Sequence, residues 1–260
     1  GWAYTGAELF ERERTAIFER GWHYAGPLSA LAKAGDYLTA GLLDQNIIVI
    51  RGKDGELRGF YNVCQHRGNV LVTGKPCAST KFFKCAFHGW SYNTDGTIKG
   101  VPSPDNFPQF KDGLPKDELG LEAIRVDFWG GFIWFNLDAR APSLMDFLGD
   151  LPQQLAPYRL EDMRFLEYKT FLWDSNWKVA CDAFNESYHF RSLHPQMLKW
   201  ADEKAQIELI GQHSRMVNKY GTTSSPFTGT SEIYPELKEW MAYNGMDPET
   251  YEGAPEDVWK

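Results

Sequence analysis

Four residues constrain this chain most: Cys64 and His66 in the order C-x-H, and, after eighteen intervening residues, Cys85 and His88 in the order C-x-x-H. Strand-like runs flank each pair, so the fold has to bring together two loops that each offer one thiolate and one imidazole. Only Cys64, Cys77, Cys85 and Cys181 occur in 260 residues. They are too few and too unevenly placed for a disulfide framework, which points to a reducing compartment and to metal.

The surrounding pattern supplies the strands. Tyr37–Leu42, Asn46–Arg51 and Leu57–Val63 are separated by turn formers such as Lys53-Asp54-Gly55, and the texture returns at Lys81–Lys84, Trp90–Tyr92 and Thr97–Lys99. Leu121–Asp127 and Gly131–Leu137 continue it, so a small antiparallel sandwich or barrel ending near Leu137 is predicted. Upstream, Thr5 and Glu8 read as a capping box opening a helix over Gly6–Glu19. Downstream, Asp138–Ser143 reads as a linker. The expected organisation is an N-terminal helical segment at 1–35, a strand-rich domain carrying the four residues at 36–138 and a further domain at 139–260. The last has a short helix near Leu144–Leu148, a strand-like Phe165–Trp173 and a helix over Asn176–Tyr188; the tail after about Gly221 carries no clear pattern.

Charge narrows the function classes. The net charge is −8, and the acidic excess lies in residues 141–260, with 19 acidic against 11 basic side chains, whereas residues 1–140 balance at 16 each. Residues 51–100 carry 8 basic against 3 acidic side chains but no long basic run, so a small acidic protein partner fits better than nucleic acid. No apolar stretch reaches membrane-spanning length and the first residues lack a secretory pattern, so a cytoplasmic location is expected.

Two metal readings suit the quartet: a tetrahedral Cys₂His₂ zinc site, and a two-iron, two-sulfur centre with both cysteines on one iron and both histidines on the other. A set of unrelated core cysteines and histidines is the bland account. Zinc fingers gather cysteines in one arm and histidines in the other. Here each arm carries one of each, which favours the cluster. With Arg67-Gly68 and Gly89-Trp90-Ser91-Tyr92 beside the ligands, the sequence resembles the Rieske family in the version found in ring-hydroxylating oxygenases. The resemblance implies a Rieske [2Fe-2S] cluster on Cys64, His66, Cys85 and His88. Respiratory Rieske proteins add a cysteine pair that ties the loops; Asn69 and Phe87 stand at those positions here, as in the lower-potential subtype. Cys77, in the longer inter-arm loop, is expected to lie outside the ligand set.

A second constellation lies within residues 176–195, where His189 and His194 stand five apart with Glu186 and Asp182 before them. On an uninterrupted helix the histidines would be about 140° out of phase, so His194 must come from a helix end or turn, as Pro195 supports. Two imidazoles and one carboxylate can hold a mononuclear Fe(II) with positions open for O₂. Taken alone, two unrelated histidines would explain H-x₄-H. The family resemblance, from Asn176-Trp177-Lys178 to His194-Pro195, makes them mononuclear iron ligands and implies that the third, a carboxylate, lies beyond Lys260. Glu203, Glu208, Glu232 and Asp247 match no ligand motif. The resemblance also implies that Glu186 bridges His189 to a cluster histidine of a neighbouring subunit; many ring dihydroxylases have Asp there, whereas oxygenases of quaternary amines often have Glu. Asp182 falls where many relatives have Asn near the iron, with capping or a buried hydrogen bond as an equal account. Phe190 and Leu198 match pocket-lining positions, with core packing as an equal account. His23 and His213 are expected to be structural.

Taken together, the resemblance implies an α+β fold: an antiparallel β Rieske domain followed by a helix-covered antiparallel sheet of helix-grip, START-like type, incomplete at the C-terminus. It implies a terminal oxygenase that takes electrons from a ferredoxin or flavin reductase and inserts O₂-derived oxygen into an aromatic or related cyclic substrate. Oxidation or N-dealkylation of a quaternary amine is the runner-up. A homotrimer, with or without a small beta subunit, is the expected assembly. A Rieske electron-transfer protein and a zinc-stabilised binding module are the non-enzymatic alternatives.

Overall fold

The computed structural model describes residues 1–74, 77–110, 112–115, 118–199, 201, 204–218 and 235–251. Two compact units form, one from Ala7–Lys169 and one from Gly1–Gly6 with Thr170–Lys260.

The first unit is built on a seven-stranded antiparallel sheet. Its strands are β1 (His23–Pro27), β2 (Asp36–Leu42), β3 (Gln45–Arg51), β4 (Leu57–Tyr61), β5 (Cys77–Ser79), β9 (Ala123–Trp129) and β10 (Phe132–Asn136), in the order β1-β10-β9-β4-β3-β2-β5. A smaller antiparallel sheet joins β6 (Phe83–Lys84), β7 (Ser91–Tyr92) and β8 (Ile98–Gly100). Strand β3 explains the layering. Ile47, Ile48, Val49 and Ile50 are all fully buried, and alternate side chains leave opposite faces of a strand. Ile48 and Ile50 enter a core with Phe60, Phe83, Trp90, Tyr92 and the two cysteines Cys64 and Cys85. Ile47 and Val49 enter a second core with Leu31, Leu38, Ile133 and Phe135. One β-branched run therefore organises both faces, and the ligand loops grow out of the first core.

Every predicted strand before residue 138 forms, with ends shifted by a few residues. Strands β1 and β5 are additions. Each lies at a sheet edge, where one side of the ladder is open, so Pro27 is tolerated and no alternating pattern announces the strand. The segment 1–35 is thus only partly helical. Its first helix, α1 (Trp2–Thr5), ends at Gly6 in extended conformation, and α2 (Ala7–Glu13) starts anew. The expected capping box is not made: the Thr5 hydroxyl turns back to the Gly1 carbonyl at 3.4 Å. Beyond α2 the chain widens into one π-helical stretch, Arg14–Phe18, whose final carbonyl meets His23 Nε2 at 2.6 Å.

The expected linker at 138–143 does not end the unit. Helix α3 (Leu144–Leu148), opened by a capping box between Ser143 and Asp146, and α4 (Leu151–Leu155) follow it. Leu144, Leu148 and Leu151 pack with Trp22, Trp129 and Trp134, so apolar burial holds this stretch to the sheet and the unit runs to Lys169.

The second unit contains α5 (Trp177–Ala183), α6 (Phe190–Leu193), a hairpin of β11 (Gln206–Ile210) and β12 (His213–Val217), and α7 (Pro235–Tyr243). The Asn176 side chain accepts from the Lys178 N–H at 3.0 Å and caps α5. The helix stops at Ala183 rather than near Tyr188, because the Asn185 side chain takes the Cys181 carbonyl at 3.0 Å and turns the chain. Phe165–Trp173, expected as a strand, has no regular secondary structure and no ladder partner among the described residues. Its apolar residues fit a pleated strand, but neighbouring strands have to satisfy its N–H and C=O groups. Among the described residues, no helix is long and apolar enough to cross a membrane.

Two predictions follow from this packing. Ile48→Ala should destabilise the first unit by about 2–5 kcal/mol, because the side chain is fully buried in a core shared with the cysteines; denaturant unfolding measures it. Burial pushes the His23 pKa below the ordinary histidine value, against the opposing effect of the Phe18 carbonyl. Its contribution is therefore full above about pH 6.5 and declines as pH falls below that value, where the unfolded chain takes up the proton first. The melting temperature of the wild type should fall between about pH 7.5 and 5.5 more steeply than that of His23→Gln.

Candidate metal centres

Two matching turns build the first centre. In the first, the Gly68 N–H donates to the Cys64 carbonyl at 2.9 Å; in the second, the Gly89 N–H donates to the Cys85 carbonyl at 3.0 Å. Gly68 and Gly89 have φ of 70° and 76°, a left-handed conformation that glycine adopts without steric cost. Each turn is closed again at its far side, where Cys64 N–H donates to the Asn69 carbonyl and Cys85 N–H to the Trp90 carbonyl, both at 2.8 Å. The Cys-to-Gly spacing is the same in both arms, and the histidine sits two residues after the cysteine in one and three after it in the other.

This arrangement sorts the ligands by type. His66 Nδ1 and His88 Nδ1 face each other at 3.1 Å, with ring planes at 72°. Two nitrogens bound to one ion at about 2.1 Å stand about 3.0–3.4 Å apart for angles near 90–110°, so the pair fits a single iron. Cys64 and Cys85, both 2% exposed, are buried in the same core at the base of the loops. Among the described residues, no three His, Cys, Asp or Glu side chains converge on one ion. Histidines on one side and cysteines on the other are what a two-iron cluster with different ligands on each iron needs.

The surroundings adjust each ligand. Burial pushes the Cys64 thiol up, although the Tyr92 hydroxyl at 3.2 Å opposes it. For Cys85 burial acts in the same direction but is outweighed by the backbone N–H groups of Phe87 and His88, so its thiol lies below the usual range and favours the ligating thiolate. His66 is held below its ordinary value by burial and by the adjoining His88 and Arg67, favouring neutral imidazole. Trp90 stacks on the His66 ring at 4.9 Å with planes 7° apart, and Phe87 lies 3.9 Å from the His88 ring. Asn69 donates from Nδ2 toward Cys85 Sγ at 3.7 Å. The spacing of the ligands carries no trace of the Tyr92 and Asn69 contacts, which arise from loop closure.

The second centre lies around α6. His189 precedes its first residue and His194 follows its last, so the phase mismatch of a continuous helix is avoided by placing both histidines at the ends. Their rings are 5.3 Å apart at 77°. Glu186 fixes the first: one carboxylate oxygen accepts from His189 Nδ1 and the other accepts the His189 backbone N–H at 3.2 Å. That leaves Nε2 of His189 as the nitrogen available to a metal ion, as in carboxylate–histidine arrangements at metal sites. The N–H donors of His189 hold the Glu186 carboxyl below the usual range against a smaller effect of burial. Phe190 and Leu198 are buried in one cluster with Ala201 and the partly buried Met197, and the Phe190 ring lies 5.2 Å from His189 and 6.2 Å from His194.

The remaining candidates fall elsewhere. Asp182 accepts a hydrogen bond from the Tyr4 hydroxyl at 2.6 Å, a pairing across 178 residues that the sequence does not announce. Glu208 pairs with Arg215 in the β11–β12 hairpin at 2.5 Å, and Asp247 accepts the Glu249 N–H at 3.0 Å. Glu203 and Glu232 lie outside the described residues. Cys77 is an exposed thiol on β5, and His23 is a packed histidine between Phe18 and Phe135.

Comparison with known proteins agrees with this geometry. The profile of the Rieske [2Fe-2S] domain matches residues 21–111, and that of the ring hydroxylating alpha subunit (catalytic domain) matches residues 160–255. The carnitine monooxygenase oxygenase subunit of Acinetobacter pittii is 33% identical over 194 residues, covering 74% of this chain and 51% of its own. The large oxygenase component of the naphthalene 1,2-dioxygenase system of Pseudomonas putida is 32% identical over 262 residues, covering 93% of this chain and 57% of its own. The crystal structure of the quaternary ammonium Rieske monooxygenase CntA in complex with an inhibitor superposes with a TM-score of 0.77 at 28% identity, over 84% of this chain and 61% of that one. Naphthalene 1,2-dioxygenase with indole bound gives 0.65 at 34% identity, over 74% and 43%. The chain spans about half the length of the curated relatives it matches. With the Rieske [2Fe-2S] domain matched over residues 21–111 and the ring-hydroxylating alpha-subunit catalytic domain over residues 160–255, the protein belongs to the Rieske non-haem iron oxygenases, in the alpha-subunit family.

Proposed function

We propose that the protein is the terminal oxygenase component of an O₂-dependent system. The observation that carries this reading is the Glu186–His189–His194 arrangement standing in the same chain as the paired cluster turns. Cys64, Cys85, His66 and His88 would hold the [2Fe-2S] cluster, and His189 and His194 the mononuclear iron, with a carboxylate as its third ligand. When bound, these groups supply one-electron transfer and O₂ activation.

The chain's own residues prepare both sites. The Nδ1 atoms of His66 and His88 face inward, so their Nε2 edges are directed away from the cluster and offer N–H donors to a neighbour. Glu186 keeps the proton on Nδ1 of His189 and fixes the ring, while its carboxylate, 40% exposed, retains lone pairs for a second donor. In a head-to-tail homotrimer that donor is His88 of the adjacent protomer, and Glu186 is the bridge between the two ligand sets. Phe190 and Leu198 exclude water from one side of the histidines. A ferredoxin or flavin reductase supplies the electrons, docking through acidic side chains to the basic surface of residues 51–100.

Two substrate classes have specific support. A quaternary amine is favoured by Glu at position 186 and by the fuller superposition on the quaternary ammonium monooxygenase. An aromatic or related cyclic compound is favoured by the naphthalene dioxygenase match, which extends over 93% of this chain.

Replacing His189 by Ala should abolish product formation while the reduced cluster keeps its electron paramagnetic resonance signal. Iron should fall from about three to about two per chain, with about two labile sulfides retained. Unchanged turnover would remove His189 from the iron site. For the substrate, O₂ uptake and incorporation of labelled oxygen should be measured with a set of trimethylammonium compounds and a set of bicyclic aromatics. Coupled uptake with the first set alone is expected; coupling with the second alone transfers the assignment to aromatics, and coupling with neither overturns both.

A further inference from the structure

The geometry points to Asn69 as a positioning residue that raises the reduction potential of the cluster by donating a side-chain hydrogen bond to the sulfur of Cys85. The inference rests on the cluster assignment and goes beyond it, because Asn69 is not a ligand.

The residue is held from three directions. Its carbonyl accepts the Cys64 N–H at 2.8 Å, closing the first loop. One hydrogen of its amide goes to the Val70 carbonyl, with Nδ2 and oxygen 2.8 Å apart. The second is left to cross to the other loop, where Nδ2 stands 3.7 Å from Cys85 Sγ. That separation is long for an oxygen acceptor but within reach of sulfur, whose lone pairs lie farther out. An amide has two donor hydrogens, and here both are committed.

The contact also has a counterpart. Cys64 Sγ lies 3.2 Å from the Tyr92 hydroxyl, so each cysteine has one side-chain donor, Tyr92 for Cys64 and Asn69 for Cys85. Tyr92 reaches its sulfur from within the core, whereas Asn69 reaches across from the opposite loop and so joins the two arms without a covalent bond. Reduction adds one electron to the cluster and breaks no protein bond. The extra negative charge is shared with the sulfurs, so a hydrogen bond to sulfur is stronger in the reduced state and favours it. A merely structural role for Asn69 would affect how much cluster is retained. An electrostatic role would order the potentials of cluster-loaded variants by the charge and donor capacity at position 69.

The test compares the cluster-loaded wild type with Asn69→Leu, which removes the donor, and Asn69→Asp, which keeps the shape and replaces the donor by a carboxylate. The midpoint potential is read by redox titration followed by circular dichroism, with iron and labile sulfide determined on the same samples. Asn69→Leu should weaken reduction about threefold to tenfold, a downward shift of about 30–60 mV at 59 mV per tenfold. Asn69→Asp should lie lower still. Potentials equal to or above the wild type in cluster-loaded variants would overturn the proposal. Should Asn69→Leu fail to retain cluster, the isosteric Asn69→Asp decides alone. A wild type without labile sulfide would overturn the cluster assignment itself, an outcome distinct from a fully loaded variant with an unshifted potential.

Discussion

The first metal centre depends on a backbone hydrogen bond made twice: a glycine N–H returning to the carbonyl of the cysteine four residues before it. These bonds close the two loops into the same shape, and the left-handed glycines make the return possible. Once both turns are closed and anchored to the buried centre of strand β3 and its neighbours, the cysteines are directed into the core and the histidines out toward the tip. The separation of thiolates from imidazoles follows from the shape of the turns. The donor set that a Rieske cluster requires, and the exposure of the histidine side, follow from that separation.

The second centre uses a different device. Helix α6 is only four residues long, and placing His189 and His194 at its two ends converts a spacing unsuited to a continuous helix into a pair of converging rings. Glu186 then engages Nδ1 of His189 and leaves Nε2 as the nitrogen available to a metal ion. The Glu186 contact is local in sequence, whereas the Tyr4–Asp182 bond joins the two ends of the same unit. Local geometry thus prepares the ligands, and distant contacts hold α5, the preceding helix.

Legibility followed the range of the interactions. The strands of the cluster domain were readable because alternation and turn residues act within a few positions. Strands β1 and β5 were not, because an edge strand pairs on one side only and its sequence is weakly constrained. Phe165–Trp173 shows the reverse: it has the composition of a strand but no neighbour to bond with among the described residues. The linker expected at 138–143 has the residues of a linker, yet the tryptophans of β9, β10 and position 22 capture the helices that follow it.

Residue type and spacing alone point to the four candidate ligands of the cluster, to the pairing of two histidines with a preceding acid, and to the family. Tertiary packing sets the rest: that the imidazoles meet at Nδ1, that Tyr92 and Asn69 each address a different sulfur, that Asp182 is engaged by Tyr4, and that Phe190 and Leu198 share one buried cluster. Each of these joins groups brought together by loop closure or helix packing. Sequence spacing carries no information about such contacts, whose geometry is set by the burial of apolar side chains elsewhere in the chain.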